Sequence, residues 1–472
     1  MEKINRAETS KALFKNTGII AIGQVSTRIV NFFLLPLYTA LLTTEEYGLV
    51  DLMTTYSSLL VIIIGLQMNQ AIFRFLVTKR DSIDSIKRIV SSIIITTAAI
   101  LAVYSILFCT LSPFFTLSYK WFLLIHVICS ITLQTMSGIA RGLGKNAKYA
   151  AGNFLSSVII LVLNVVLIAG FKLGVAAMLV SYIAGPICGV VFLFVSCKIY
   201  KYTNFKFFSK SELRKVLKYS IPLVPNELSW SVIHSSDRWI VSAVLTVAAN
   251  GLIAVASKFS LIYTTFFSIF NTSWTEQVVL HYKDQGGQQY INEMFNKMLL
   301  FFASVAIGII AIMPFAFKYM VNVQFNDAYG LIPFYMIAVF FNAVIGMLSA
   351  IYLVENETKQ VAFSTMIAAV INIAVDLLLI KTIGTYAAPL SSICGYATIS
   401  IWRLLDVNKR HCRIVVPIKT IALISSMLCI ALVAYYLRII LVQVIGALIV
   451  AVASIIVNRN LLKIILKTIL HR

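Results

Sequence analysis

Apolar stretches about 20 residues long recur from Phe14 to Val457, separated by short polar breaks. An α-helix needs about 20 residues to cross a bilayer, and in hydrocarbon its backbone must satisfy its own hydrogen bonds, so a bundle of spanning helices is the architecture left open. The hydrophobic pattern places spans at about 14–41, 48–76, 86–111, 121–140, 149–171, 174–197, 216–243, 249–275, 295–317, 328–354, 361–380, 384–402, 418–437 and 439–457. Fourteen such spans use about 280 residues, close to the whole apolar complement, which is 60% of 472 residues. A water-soluble enzyme is excluded, and the fold class is an all-α membrane protein.

An even number of spans puts both termini on one side. The 39 Lys+Arg against 18 Asp+Glu then read as a topology signal rather than as nucleic-acid binding. Thirty of the 39 fall on the side holding the termini, in clusters such as Lys79/Arg80/Lys87/Arg88, Arg141/Lys145/Lys148, Lys198 to Lys218 and Arg403 to Lys419. Only Lys120, Lys172, Lys318, Lys381 and Arg438 lie on the other side, and Arg28, Arg74, Arg238 and Lys258 lie within spans. Both termini are therefore expected in the cytoplasm, with 14–41 an uncleaved first helix, since no small-residue cleavage site follows its basic start.

The longest polar stretches, around Cys197 to Arg214 and Thr275 to Lys297, are cytoplasmic on this map, and the outward connections are short. A membrane enzyme of glycan assembly needs a substantial outward loop carrying acids or histidines, so enzymatic function is not expected. The seven cysteines show no C-x-x-C and no metal spacing, so neither a disulfide framework nor a metal site is expected.

The chain also echoes itself. Lys15 precedes Gly48 by 33 residues in K-N-T … Y-G-L-V, and Lys218 precedes Gly251 by 33 in K-Y-S … N-G-L-I. L-N-V-V-L-I (163–168), then Lys172 and Gly174, is answered by V-D-L-L-L-I (375–380), then Lys381 and Gly384. Two six-helix lobes of the same orientation are implied: residues 1–200, a basic linker 201–215, and residues 216–406. Two further helices and a basic tail (407–472) follow, and a substrate path is expected in a central cavity between the lobes.

The segments F-F-L-L-P-L-Y-T-A-L-L-T-T-E-E-Y-G-L-V-D-L (32–52), A-I-F-R-F (71–75), Y-S-I-P-L-V-P-N-E-L-S-W (219–230), S-S-D-R-W-I-V (235–241) and N-G-L-I-A-V-A-S-K-F-S (250–260) carry a resemblance. Through them the chain resembles the bacterial O-antigen and capsule polysaccharide flippases of the multidrug, oligosaccharidyl-lipid and polysaccharide exporter superfamily. The resemblance implies two six-helix lobes around a cavity and a location in the bacterial cytoplasmic (inner) membrane. It implies a polyprenyl-diphosphate-linked oligosaccharide as substrate, no cofactor beyond a coupling ion, sodium or proton, and a glycan polymerase and other assembly proteins as candidate partners.

Polar residues inside the spans are the candidate site. Gln24, Arg28 and Asn31 share one face of the first span, where Arg28 is either half of a structural ion pair or a bidentate donor to a diphosphate. Arg74, near the cytoplasmic end of the second span, either snorkels or touches ligand. The seventh span opens with Pro222 and Pro225, which suggest a kink or local unwinding, and carries Glu227, His234, Asp237 and Arg238. Lys258, about 15 Å from the outer end of the eighth span, pairs with an acid such as Glu227 or Asp237 or serves substrate charge, while Glu227 is also open to Arg28. Substrate binding is assigned to Arg28, Arg74, Lys258, Gln24, Asn31 and Arg238.

Asp237 and Asp376 lie at matched depth near the outer ends of their spans, with Asn372 one turn from Asp376, so these three form the candidate cation-coupling site. The alternative is a pair of hydrated helix-end acids. His234, one turn from Asp237, is placed to join a proton relay. Leu461 to Arg472 alternates apolar and basic residues as an interfacial helix or a frayed tail does. A cation-coupled multidrug exporter is the competing function, disfavoured by the embedded basic residues.

Overall fold

The computed structural model describes residues 32–80, 82–355, 357–459 and 463. The expectations for Gln24, Arg28, Asn31 and most of the C-terminal segment fall outside the described residues. Those described form an all-helical chain without strands, divided into two compact units at Ser231/Val232.

The first unit holds α1 (Leu35–Leu41), α2 (Thr44–Gly65), α3 (Met68–Val77), α4 (Ile83–Leu111), α5 (Lys120–Gly142), α6 (Asn146–Asn164), α7 (Gly174–Ser196) and α8 (Lys210–Ser220). α2 starts on a capping box: Glu46 N–H donates to Thr43 Oγ1 at 3.1 Å, and Thr43 N–H donates to the Glu46 carboxylate at 2.9 Å. α6 ends in a π-helical turn, Val165–Gly170. The core is a continuous apolar cluster in which Ile72 and Leu76 of α3, Ile89 and Ile93 of α4, Ile139 of α5, Leu193 of α7 and Val216 of α8 meet. α6 and α7 approach so closely that a Cβ on Gly185 would sit 2.6 Å from the Ser156 carbonyl oxygen, a distance only glycine tolerates.

α9 (Val224–Val244) runs from the first unit into the second, which continues with α10 (Val247–His281), α11 (Gly287–Met320), α12 (Ile332–Val354), α13 (Thr358–Ile383), α14 (Ala387–Arg410), α15 (Ile418–Leu437) and α16 (Ile440–Val457). Here α10 packs on α12, and α13 on α14. The two last helices, outside the internal repeat, dock on α11. The ring of Tyr329 stacks on that of Tyr435 at 4.1 Å, and each hydroxyl donates to the other's carbonyl.

Eleven helical stretches among the described residues are long and apolar enough to cross a membrane. One of them, Lys359–Arg410, contains both α13 and α14, separated by a 3-10 turn at Gly384 with φ +60°. α9 is absent from the eleven because its polar residues dilute it.

The structure corrects two expectations about continuity and bears out a third. The second span, expected unbroken over 48–76, breaks at Leu66 and Gln67, both left-handed. The seventh, expected over 216–243 with a kink or local unwinding at its prolines, is α8, a 3-10 turn at Ile221–Leu223 and α9, as expected where Pro222 and Pro225 withhold the N–H groups a continuous helix needs. The expected polar stretch around Thr275 to Lys297 is mostly helix. α10 and α11 run past the apolar segment and leave only a short turn ending in Gly286, which is left-handed at φ +87°.

Candidate functional site

Four helices of the second unit bring the expected coupling residues into one buried polar cluster. Asp237, on α9, is 3% exposed; Asn372 and Asp376, one turn apart on α13, are both 0% exposed. Close α13–α14 packing fixes this register, since a Cβ on Gly395 of α14 would lie 3.2 Å from the Ala368 carbonyl oxygen and 3.4 Å from the Asn372 Cβ.

Asn372 is fully engaged. Its carbonyl oxygen accepts from Ser236 Oγ at 2.7 Å, and its amide donates to Ser391 Oγ at 3.2 Å. Asp237 takes the Arg238 guanidinium at 3.0 and 3.1 Å and the Tyr335 hydroxyl of α12 at 3.1 Å. The other end of Arg238 donates to Ser257 Oγ of α10 at 2.7 Å. The guanidinium of Arg238, expected to bind substrate, thus lies in the same cluster as Asp237. His234 hydrogen-bonds the Tyr396 hydroxyl at 2.7 Å.

Asp376 stands apart. Neither carboxylate oxygen has a hydrogen-bond partner, although both are buried, and Asp237 is its electrostatic neighbour. A bare carboxylate cannot persist in that setting, because the cost of stripping its water has to be met by a proton, a cation or donors. Oxygen-bearing side chains are neighbours of Asp376: Tyr335 interacts with it electrostatically, as Asp237 does, and Asn372 lies one turn away on α13. Oxygen donors from several helices suit a hard monovalent cation, and a lone carboxylate suits a proton equally.

Sequence reasoning missed Tyr335, Ser236, Ser391 and Ser257. Ser391-Ser392 within an otherwise apolar span was a visible signal; Tyr335 had none. It also grouped Arg403 with the cytoplasmic basic residues, whereas Arg403 is 0% exposed. Its guanidinium donates to Ser349 Oγ at 2.7 Å, to Ser364 Oγ at 2.9 and 3.0 Å, to Thr365 Oγ1 at 3.2 Å and to the Val361 carbonyl at 3.0 Å.

A family model for polysaccharide biosynthesis proteins matches residues 13–275, more than half of the 472-residue chain. The chain belongs to the polysaccharide biosynthesis protein family. No curated protein sequence matches it. Among solved structures, the lipid II flippase MurJ in an inward closed conformation superposes with a TM-score of 0.72 at 16% identity, over 94% of this chain and 99% of that one. Inward- and outward-facing multidrug resistance MATE transporters of the MOP superfamily follow with TM-scores of 0.62 and 0.57, both at 14% identity, over 82% and 85% of this chain and 98% and 95% of theirs. This polysaccharide biosynthesis protein therefore has the multi-pass membrane fold of the MOP superfamily transporters.

The remaining expected site residues of this family member that the structure describes fall on α3, α9 and α10. Arg74 is exposed on α3, its guanidinium 4.4 Å over the Tyr219 ring. Lys258 is half-buried on α10, next in sequence to Ser257. Glu227 is half-buried in the first turn of α9. A second ionic cluster, Glu357, Asp406 and His411, has ligand atoms close enough for a metal. The Arg410 guanidinium already occupies both carboxylates, at 2.7 Å on Asp406 Oδ1 and 3.4 Å on Glu357, and the cluster is an ion-pair latch at one end of α14.

Proposed function

We propose that the chain is a flippase that moves a polyprenyl-diphosphate-linked oligosaccharide, an O-antigen or capsule repeat unit, from the cytoplasmic to the outer leaflet of the bacterial inner membrane. Transport is driven by a cation, sodium or proton, through alternating access. The observation that carries this reading is membership of a polysaccharide biosynthesis family by a chain with a MOP transporter fold. The orphaned, fully buried Asp376 beside the engaged Asp237 and Asn372 supports the coupling part. Taking up a cation or proton removes the burial cost of Asp376 and favours whichever arrangement of α9, α13 and α14 holds it best, which is how a gradient biases a two-state transporter. Basic residues, Arg28, Arg74 and Lys258 with Gln24 and Asn31 as amide donors, take the diphosphate, and both termini lie in the cytoplasm. A glycan polymerase and other assembly proteins are the partners that receive the exported unit.

The MATE likeness favours a second reading, a cation-coupled multidrug exporter. The excess of basic over acidic residues opposes it, because cationic drugs are best taken up by acidic cavities. Reconstitution into liposomes with imposed sodium or proton gradients separates the two. Flipping of a fluorescent polyprenyl-diphosphate glycan without drug efflux is expected, and gradient-driven drug efflux without lipid flipping would reject the flippase.

A further inference from the structure

The first unit contains a polar cavity of about 180 Å³ among α3, α5 and α6, with room for about six waters at about 30 Å³ each. Its walls include Gln70 and Phe73 of α3, Gln134, Ser137 and Arg141 of α5, and Asn153 of α6. Two features set it apart from ordinary polar packing in a membrane bundle.

The first is that its amides are unspent. Gln134 lies well inside α5, a helix long and apolar enough to span, and its side chain is exposed, as is that of Gln70. Among the described residues neither side chain makes a hydrogen bond. The Arg141 guanidinium meets only the Phe73 ring, at 4.1 Å. An amide that holds helices together is paired and buried, as Asn153 is with Ser137 Oγ at 3.1 Å and the Tyr149 carbonyl at 2.9 Å. An unpaired, exposed amide inside a helix able to span, as Gln134 is, is costly unless it meets water or a ligand with hydroxyls.

The second is the backbone beside them. Leu66 and Gln67, at φ +48° and +50°, interrupt the helix in a conformation that side chains other than glycine's disfavour. This interruption comes just past the apolar stretch Thr44–Gly65. The break restarts the helix as α3, against which α5 packs so tightly that a Cβ on Gly138 would lie 3.2 Å from the Asn69 carbonyl oxygen. The restart sets Gln70 and Phe73 on the cavity wall beside Gln134 and Arg141.

Adjacent amides, each with paired donor and acceptor, beside an aromatic ring under a guanidinium match vicinal hydroxyls and the apolar face of a sugar ring. We propose that this cavity is a subsite for one sugar residue of the glycan, separate from the basic residues assigned to the diphosphate. The inference rests on the flippase reading and deepens it: the first unit reads sugar, and the lipid diphosphate is bound elsewhere.

Binding by the full-length protein in lipid nanodiscs tests it with two probes, bare polyprenyl diphosphate and the polyprenyl-diphosphate-linked glycan that accumulates in cells lacking this protein. The unmodified chain should bind the glycosylated lipid more tightly. Gln70→Leu and Gln134→Leu should each weaken the glycosylated lipid about tenfold, as loss of one buried hydrogen-bonding pair does, and leave the bare lipid unchanged. Gln134→Asn should recover part of the loss. Equal weakening toward both probes would mean that the amides only support the helices, and unchanged binding of both would mean that no sugar sits there; either overturns the subsite. If the unmodified chain binds neither probe, the flippase reading itself fails and the subsite falls with it.

Discussion

Asp376 and Asn164 occupy matching places in the duplicated patterns V-D-L-L-L-I and L-N-V-V-L-I, and both are 0% exposed. Each has an oxygen without a donor. In the first unit that oxygen belongs to a neutral amide, anchored through its Nδ2 on the Tyr38 hydroxyl at 2.7 Å, and leaving it unpaired costs about 1–3 kcal/mol. In the second it belongs to an acid, which must load a proton or cation. Because the fold already accepts Asn at the equivalent place, Asp376→Asn should leave abundance and substrate binding unchanged. It should give transport in liposomes that is equally slow with and without an imposed gradient; a stable variant that still responds fully to the gradient would remove Asp376 from coupling. Charge at the proposed diphosphate site makes a different prediction. Arg28→Ala and Lys258→Ala should abolish glycan export at normal membrane levels, while Arg28→Lys keeps charge, loses bidentate geometry and retains part of the activity. Complementation assays with membrane-level controls decide this, and full export by Arg28→Ala would reduce Arg28 to an ion-pair residue.

Helices in this protein are held at their ends and crossings by basic side chains. The Arg80 guanidinium donates to the Gly142 and Arg141 carbonyls at 2.7 and 3.2 Å, and Lys145 donates to the Cys197 carbonyl at 2.6 Å. Cations at C-terminal carbonyls satisfy otherwise orphaned acceptors and complement the helix dipole. Arg403 does the same in the interior, tying α14 to α12 and α13 through Ser349, Ser364, Thr365 and the Val361 carbonyl. Arg403→Met should therefore lower thermal stability by several degrees, since it removes the hydrogen bonds that tie three helices together, each worth about 1 kcal/mol net; a nanodisc melting curve reads this out, and an unshifted midpoint would show that those bonds contribute nothing. α8 is held differently, by Glu212 bonded to Lys79 at 3.0 Å and Lys215 at 2.9 Å. Burial pushes the Glu212 carboxyl up, and hydrogen bonds from Lys215 and Lys79 outweigh it and hold it below the usual carboxylate range. A depressed acid stabilises the fold above its unfolded value near pH 4.3 and stops doing so as pH falls through the lower folded value. With the lysines a third to a half exposed, the gain is at most about 1 kcal/mol. Glu212→Gln should thus lower the melting midpoint slightly at pH 7, and the difference from the unmodified chain should vanish as the pH falls through the depressed Glu212 value.

Across the chain, the alternation of basic residues predicts one topology: both termini and the 198–215 linker in the cytoplasm, Thr43 to Tyr47 outside. In a variant lacking the native cysteines, Thr44→Cys should be labelled by an impermeant thiol reagent from outside intact cells. Labelling only after the membrane is opened would overturn the map.

The all-helical membrane fold and the family were legible in the sequence because they depend on quantities local to the chain: apolar length against bilayer thickness, and short motifs. The acids of the candidate site were legible too, since Asp237 and Asp376 are conspicuous in apolar helices. Their inequality was not. That Arg238 neutralises Asp237 while Asp376 keeps no hydrogen-bond partner depends on side chains from α9, α12, α13 and α14 meeting across more than a hundred residues. The burial of Arg403 and the break at Leu66–Gln67 were equally hidden, whereas the break at Ile221–Leu223 was announced by its prolines. Hydropathy records how much of a segment is apolar. Only packing decides which polar atoms find a partner, and in a low-dielectric interior the atom left without one is where a proton, an ion or a substrate has to go.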